Sequence, residues 1–338
     1  MKVVTMGEMM LRFMPKGNLR FEQADEFEAY YGGDESIVAV SLARFGAESL
    51  YLTKLPENIL GDICIQKLKM YGVDTSCIVR GGERLGLNFY ENGASVRPSV
   101  VLYDRKHSAV SEIDPGEIDL KKAFEGADWF HFAGITPALS AKTAELTLKA
   151  AKYAKEHGVT VSCDLNYRSR LWSIEQARKI MIPLMEYVDV LFGGIEDADK
   201  MLKLEYPLES GQFSHSEQEY KAVFEELKRR FRFKMICSTL RQGTGASDNS
   251  WAAIMYDGEK TYITKRYELH LVDRGGSGAS FAGAAIFGIL SGYGMEKTGE
   301  FAAAASALKQ TIMGDYNLVT VREVEKMMDG KAMGRVDR

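Results

Sequence analysis

The stretch Asp273-Arg274-Gly275-Gly276-Ser277-Gly278-Ala279-Ser280-Phe281 carries the clearest chemical signal in the chain. Its glycines let the backbone bend and come close to a ligand. The small residues after them predict a helix over about Gly278–Leu290. Free N–H groups at such a helix start, together with the helix dipole, favour a bound anion such as phosphate. Standing alone the signal is weak, because glycine-rich turns ahead of helices are usually only turns. It is not a Walker loop, which needs Gly-Lys-Ser/Thr, nor a GxGxxG fingerprint opening the first βα unit. A Rossmann dehydrogenase is therefore a poor reading, since the best glycine-rich loop lies near the C-terminus. The histidines add little. His131 sits inside a strand pattern and reads as structural, and His107 reads as exposed. No Cys/His cluster has metal-ligand spacing, and the cysteines Cys64, Cys77, Cys163 and Cys237 form no CxxC pair.

The elements that must position this loop follow from hydrophobic pattern and turn residues. Lys2–Gly7 reads as a buried strand. Leu11–Met14, Phe27–Tyr31, Leu85–Tyr90 and Ser99–Tyr103 are short, aromatic-rich and bounded by Gly or Pro, as strands of a small separate sheet would be. Glu35–Phe45 has helical spacing, with Asp34 placed to cap it. From residue 129 strands and helices alternate. The strands are Trp129–Ala133, Val159–Asp164, Tyr187–Phe192 and Lys234–Thr239. The helices are Ala141–His157, Ile174–Glu186, Glu196–Leu204 and one ending near Arg230. That alternation predicts a mainly parallel, doubly wound α/β sheet with helices on both faces. Asp257-Gly258 marks a hairpin between Trp251–Tyr256 and Lys260–Thr264. Helices are expected at Met295–Ile312 and Val321–Met328. Open α/β sheets bind ligands beyond the carboxyl ends of their strands, which directs attention to 134–136, 164–168, 193–197, 241–245 and the glycine loop.

The chain has 338 residues, 46% hydrophobic and 27% charged, with a formal net charge of −4. This is ordinary globular composition. No global basic field exists to draw nucleic acid or anionic lipid. No apolar run approaches the ~20 residues of a membrane span. The N-terminus lacks a signal-peptide pattern, and the scattered thiols fit a reducing compartment, so a cytoplasmic location is expected. The charged run Glu217–Arg232 reads as a solvated helix face.

Gly32-Gly33 followed by Val38-Ala39-Val40-Ser41-Leu42-Ala43-Arg44-Phe45-Gly46 resembles the N-terminal signature of the ribokinase-like (carbohydrate kinase B) family. Val272 through Phe281 resembles its C-terminal signature. Arg97-Pro98-Ser99, Tyr103-Asp104-Arg105, Gly134-Ile135-Thr136-Pro137 and Asp164-Leu165-Asn166-Tyr167-Arg168 are similar to the 2-keto-3-deoxygluconate kinase branch. The similarity runs from Met1 to the closing Gly334-Arg335-Val336-Asp337-Arg338. The resemblance implies one kinase domain over 1–338, with a β-lid built from about 11–31 and 85–105. It implies transfer of the ATP γ-phosphoryl group to a sugar hydroxyl, with Mg²⁺ on the nucleotide. It also implies a homodimer through the lid. Gly276, Ser277 and Gly278 would form the anion hole. Gly33, Tyr103, Arg105, Ile135 and Arg168 would meet the sugar, the two guanidiniums suiting a sugar acid, and Asp34 beside Gly33 is a further candidate contact. Arg241, Gly243 and Gly245, with Gly276 and Gly278, would lie on the nucleotide side, although a plain loop at 243–245 is equally consistent. Asp197 would act on the metal through water, and Asp273 would help hold the loop and a monovalent cation such as K⁺.

Departures from the family pattern fall on functional positions. The family's catalytic aspartate falls at Ala279, which cannot accept a proton; a positioned general base is typically worth ~10²–10⁴ in rate. Ile37 stands where an asparagine is usual, Asn88 where a tyrosine is usual, and Gly194 where the Asn-x-x-Glu-like segment begins. Asp34 replaces a small residue. If it points into the site it would oppose a carboxylate ligand. The expectation is a pseudokinase-like relative that retains sugar-acid or nucleotide binding, or that pairs with an active homologue. The alternative is an active ATP-dependent kinase with an altered substrate.

Overall fold

The computed structural model describes residues 1–208, 215–243 and 245–330. The interior of the Glu205–Ser216 insert, Thr244 and the closing Gly334–Arg338 motif lie outside the described residues. In chain order the first elements are β1 (Lys2–Met6), β2 (Met10–Pro15), β3 (Phe27–Gly32), α1 (Asp34–Arg44), β4 (Glu48–Leu52), β5 (Lys54–Leu55) and α2 (Ile59–Met70). Then come β6 (Val79–Arg80), β7 (Gly86–Glu91), β8 (Val100–Asp104), α3 (Leu120–Phe124), β9 (Trp129–Ala133), α4 (Ile135–Ala138) and α5 (Ala141–Glu156). The second half runs β10 (Thr160–Asp164), α6 (Ile174–Leu184), β11 (Val190–Phe192), α7 (Ile195–Leu202), α8 (Glu217–Phe231), β12 (Met235–Gln242) and β13 (Asp248–Tyr256). It closes with β14 (Thr261–Ile263), β15 (Tyr267–His270), α9 (Ser277–Leu290), α10 (Met295–Lys309) and α11 (Val321–Met328).

The main sheet has the order β14-β13-β12-β11-β10-β9-β1-β4, with β15 also on β13. Strands β4 through β12 along this path pair in parallel, and β13 to β15 are antiparallel. The doubly wound α/β class read from the alternation is what forms. Successive side chains of a strand face opposite ways. Val3 therefore joins the core containing Val38, Ala282 and Phe301 of α1, α9 and α10. Val4 and Met6 join the core containing Leu146, Met181 and Phe224 of α5, α6 and α8. With both faces covered, the central strands are buried along nearly their whole length.

Local signals explain most boundaries. Asn58 caps α2 by accepting the Leu60 and Gly61 N–H groups. Reciprocal capping boxes start α5 (Ser140/Thr143), α6 (Ser173/Gln176), α8 (Ser216/Glu219) and α11 (Thr320/Glu323). The β13–β14 turn forms at Asp257-Gly258, where the Asp257 carboxylate takes the Glu259 and Lys260 N–H groups. Strand β4, helix α2 and strand β15 carried no clear sequence signal. The expected strand at Tyr187–Phe192 is shorter, because Met185–Tyr187 adds a helical turn after α6.

A second sheet, β3-β2-β7-β8, covers the carboxyl ends of the main strands. Its register places Arg12 beside Tyr30 and Asn88, and Asn88 beside Tyr103. That row faces inward. Phe13, Ala29, Phe89 and Leu102 form the opposite row.

Candidate functional site

A cavity of about 400 Å³ lies between the lid and the ends of β9 to β12. The lid supplies Asn88, Tyr103 and Arg105 to its wall. The start of α1 supplies Gly33, Asp34 and Ile37. Residues just beyond β9, β10 and β11 supply Ile135, Arg168, Gly194 and Asp197, and α9 supplies Gly276 through Ala279. The structure thus gathers expected site residues that are separated by as much as nearly three-quarters of the chain.

At the cavity floor, Gly276 has φ +75° and precedes the first turn of α9. A Cβ there would lie 2.3 Å from the Asp315 carbonyl oxygen, so only glycine fits. A Cβ on Gly275 would lie 2.6 Å from an Arg12 guanidinium nitrogen. At Gly278, by contrast, nothing lies within 4 Å of that position, which leaves space in front of the helix start. The loop can therefore present backbone N–H groups to an anion.

What holds this loop is a residue the motif reading missed. Arg12, 3% exposed, reaches from β2 to the Asp273 carboxylate at 2.5 Å and to Asp315 at 3.0 Å. Its guanidinium also lies 5.0 and 5.4 Å from the ring centres of Tyr30 and Tyr90. Burial pulls its pKa down, but Asp315 and Asp273 outweigh that and raise it, so it stays charged. The Asp273 carboxylate is fully engaged. One oxygen accepts from Gly275 N–H at 2.8 Å and from Arg12 at 3.4 Å. The other accepts from Arg12 at 2.5 Å and from Gly314 N–H at 3.1 Å. The side chain expected to help hold K⁺ thus has both oxygens committed to protein donors.

Arg105 lines the cavity but is already paired. Its Nε donates to Glu8 at 2.8 Å and its Nη2 makes a second, short bond to the same oxygen. Ser108 donates to the other Glu8 oxygen at 2.6 Å. Gly33 is needed for this packing, since a Cβ there would sit 1.9 Å from the Glu8 carbonyl oxygen. Arg168 is exposed and donates to the Tyr167 carbonyl at 3.1 Å. Of the two guanidiniums, it is the one with no carboxylate partner within 4 Å among the described residues.

Asp34 does not cap α1. Gly33 occupies the N-cap, with no side-chain bond, and Asp34 is the first helical residue. Asp34 lines the cavity, while its Oδ2 is shut from solvent without a hydrogen-bond partner among the described residues. Asp164 and Asp197 line the same wall. Burial raises the pKa of Asp34, opposed by Arg168 and by a hydrogen bond from Asn166. Burial raises Asp164 further, reinforced by Asp34 and Asp197, and burial also raises Asp197. Beneath them, burial and then Asp34 push Glu35 up to about 8. Glu35 accepts from Ala133 N–H at 3.0 Å and from the Thr136 hydroxyl. The cavity wall is thus richer in carboxylates than an acid-binding site needs.

Ala279 is 1% exposed and lines the cavity one position after Gly278. Ile37, 4% exposed, packs on the same loop, with its Cδ1 3.0 Å from the position a Gly276 Cβ would take. The Asn88 amide lines the cavity, and among the described residues its hydrogen-bond contact is the Met10 sulfur, at 4.0 Å.

A second hollow of about 620 Å³ adjoins the first and shares Gly194, Asp197 and Thr239 with it. Arg241 lies here, with its Nε 3.3 Å from Asn249 Oδ1. Gly243 and Gly245 line neither space. A Cβ on Gly245 would meet the Ser95 carbonyl at 2.4 Å, and Ala246 N–H donates to that carbonyl at 2.6 Å, so this loop braces the lid turn. His131 is wholly buried, bonds Ser162 and lines neither hollow. No group of three or more metal-ligating side chains occurs among the described residues. Mg²⁺ commonly keeps several waters and rides on substrate phosphates, so this donor set fits a nucleotide-borne ion and not a dedicated protein cage.

An open α/β sheet, a lid over its strand ends and a glycine-held helix start are the parts of a ribokinase-like fold. The chain belongs to the PfkB family of carbohydrate kinases: the model of the pfkB family carbohydrate kinases matches residues 1–320. It is 33% identical to a 2-dehydro-3-deoxygalactonokinase of Haloferax volcanii over 337 residues, covering 100% of this chain and 99% of that one. The crystal structure of a Thermotoga maritima 2-dehydro-3-deoxygluconokinase superposes with a TM-score of 0.94 at 47% identity, over 98% of this chain and 100% of that one. An Escherichia coli protein solved as a ribokinase II with ATP and Mg²⁺ shares the fold at 21% identity, with a TM-score of 0.80 over 97% and 99% of the two chains. The chain is therefore similar to 2-keto-3-deoxy sugar-acid kinases. No helix among the described residues is long and apolar enough to cross a membrane.

Proposed function

We propose that this protein is a 2-keto-3-deoxy sugar-acid kinase homologue whose phosphoryl transfer is strongly impaired while its ligand cleft persists. The observation that carries this reading is Ala279, which occupies the cavity wall in the first turn of α9 and offers no proton acceptor. Of the carboxylates lining the cavity, Asp315 is paired with Arg12, and Asp34, Asp164 and Asp197 belong to the start of α1, the end of β10 and α7, not to the first turn of α9. The sugar acid would lie under the lid against Tyr103, Ile135 and Arg168. The phosphate chain of ATP would meet the N–H groups of Gly276 to Gly278, with the nucleoside in the second hollow beside Arg241. Asp197, shared by both spaces, would hold water of the Mg²⁺ shell. That ion neutralises phosphate charge when the nucleotide is bound.

The lid supports a dimer. Leu102, Phe27 and Val100 of β8 and β3 are 48%, 42% and 40% exposed, and Phe13 stacks on Phe89 beside them. We treat residues 1–338 as one functional unit in which this lid belongs to the kinase body.

A coupled ADP-release assay with 2-keto-3-deoxygluconate and ATP-Mg²⁺ tests the reading. Kinases of this chemistry turn over at about 1–100 s⁻¹, and loss of a general base predicts a rate ~10²–10⁴ lower. Turnover in the ordinary range overturns it. The second reading, an active kinase with another substrate, draws on Asp34, a cavity-lining carboxylate where the family pattern has a small residue, which suits a hydroxyl or amine better than a carboxylate. Turnover on a neutral sugar with none on the acid would favour it.

A further inference from the structure

Behind the anion-binding loop lies a buried lysine that lines neither hollow. Lys309 is the last residue of α10, and its side chain is wholly shielded from solvent. Its ammonium donates to the carbonyl oxygens of Asp273 and Ile312, each at 3.2 Å. These carbonyls belong to the two segments that frame the helix start, 272–276 and 310–315. The same segments are stitched by Val272 and Asp273 N–H groups donating to the Gln310 carbonyl, at 3.0 and 3.3 Å, and by Gly314 N–H donating to Asp273. A cation at the end of α10 also suits the negative end of that helix.

Two buried cations, Arg12 and Lys309, face two carboxylates, Asp273 and Asp315. The group is neutral as built. A monovalent ion added among them would leave one uncompensated buried charge, which is strongly unfavourable. It would also compete for oxygens already committed. Asp273 has given both carboxylate oxygens to Arg12, Gly275 and Gly314, and its carbonyl to Lys309. The Asp273 environment therefore does not fit K⁺.

We propose that the Lys309 ammonium is the built-in cation that ties the two segments together and orders the anion-binding loop, so that the protein needs no monovalent metal ion. Lys309 is a positioning residue, since it acts through the backbone of 272–276. Burial draws its pKa down to about 8, opposed by Asp273 and Asp315, so the ammonium persists at neutral pH.

The test compares potassium chloride with choline chloride at equal ionic strength, reading melting temperature without ligand and the Kd for ATP-Mg²⁺. Only the Kd arm rests on the proposed nucleotide site; the melting arm stands without it. For the wild type, both readouts should be the same in the two salts. In Lys309→Ala, melting temperature should fall in choline and recover by several degrees in potassium, because the vacated carbonyls now accept an ion. Lys309→Met, which fills the volume without charge, should fall in both salts. A wild-type protein that melts several degrees higher in potassium than in choline overturns the proposal. So does a Lys309→Ala protein that melts as the wild type does in choline. Should neither variant fold, the wild-type comparison decides. If ATP-Mg²⁺ binds in neither salt, the nucleotide reading fails while the melting data still judge Lys309.

Discussion

Arg12 and Ala279 show how unevenly single residues declare themselves. Ala279 was legible because it sits in a contiguous motif where one position can be counted from its neighbours. Arg12 was not, because its carboxylate partner Asp273 is 261 residues away and nothing near Arg12 in sequence announces it. Asp34 was ambiguous for a narrower reason. A helix starting one residue later would have made it a cap, whereas here it lines the cavity. Replacing Arg12 by Met should leave Asp273 and Asp315 buried without their cation. Breaking a buried pair in this way costs about 3–5 kcal/mol. Urea denaturation should show a loss of that size. A change below about 1 kcal/mol would mean that the pairs hold nothing together.

At the level of elements, the start of α1 couples the cavity to the core. Asp34 faces the ligand space, and Glu35, the next residue, turns beneath β9 and accepts from Ala133 and Thr136. The folded chain keeps the Glu35 proton up to about pH 8, against an ordinary value of 4.5. Folding therefore takes up a proton between those values, and this contribution to stability is lost as pH rises through the window. Asp34, Asp164 and Asp197, also raised, act in the same direction. Glu35→Gln keeps an oxygen for both donors but cannot ionise. Its urea midpoint should decline less steeply than that of the wild type between pH 5 and 8. Parallel pH profiles would show that Glu35 is ionised in the folded protein. The α/β alternation that frames this element was readable from hydrophobic period and caps. Strand β4 and helix α2 were not, because their patterns are short or mixed and tertiary packing decides them. Lys309 looked in sequence like any basic residue closing a helix; only the fold reveals that it is fully enclosed.

At the scale of the whole molecule, the lid presents two unlike faces. The row Arg12, Asn88 and Tyr103 looks into the cavity, and the row Phe13, Phe89 and Leu102 looks away from it. The outward row is the expected contact with a second copy. Size-exclusion chromatography with light scattering should give a dimer mass for the wild type and about half that mass for Leu102→Glu, with little change in monomer stability. A wild type that stays monomeric at high concentration would remove the lid contact from the account. The fold and the cavity were foreseeable because family motifs mark strand ends. The bracing role of Gly245 was not, because a glycine in a loop is equally suited to a ligand and to a neighbouring backbone. Everything functional then turns on one side chain, so the most direct measurement restores it. In the ADP-release assay with 2-keto-3-deoxygluconate, Ala279→Asp should raise turnover over the wild type by ~10² or more. An Ala279→Asp protein that binds ATP-Mg²⁺ and the sugar acid yet turns over no faster than the wild type would contradict the account.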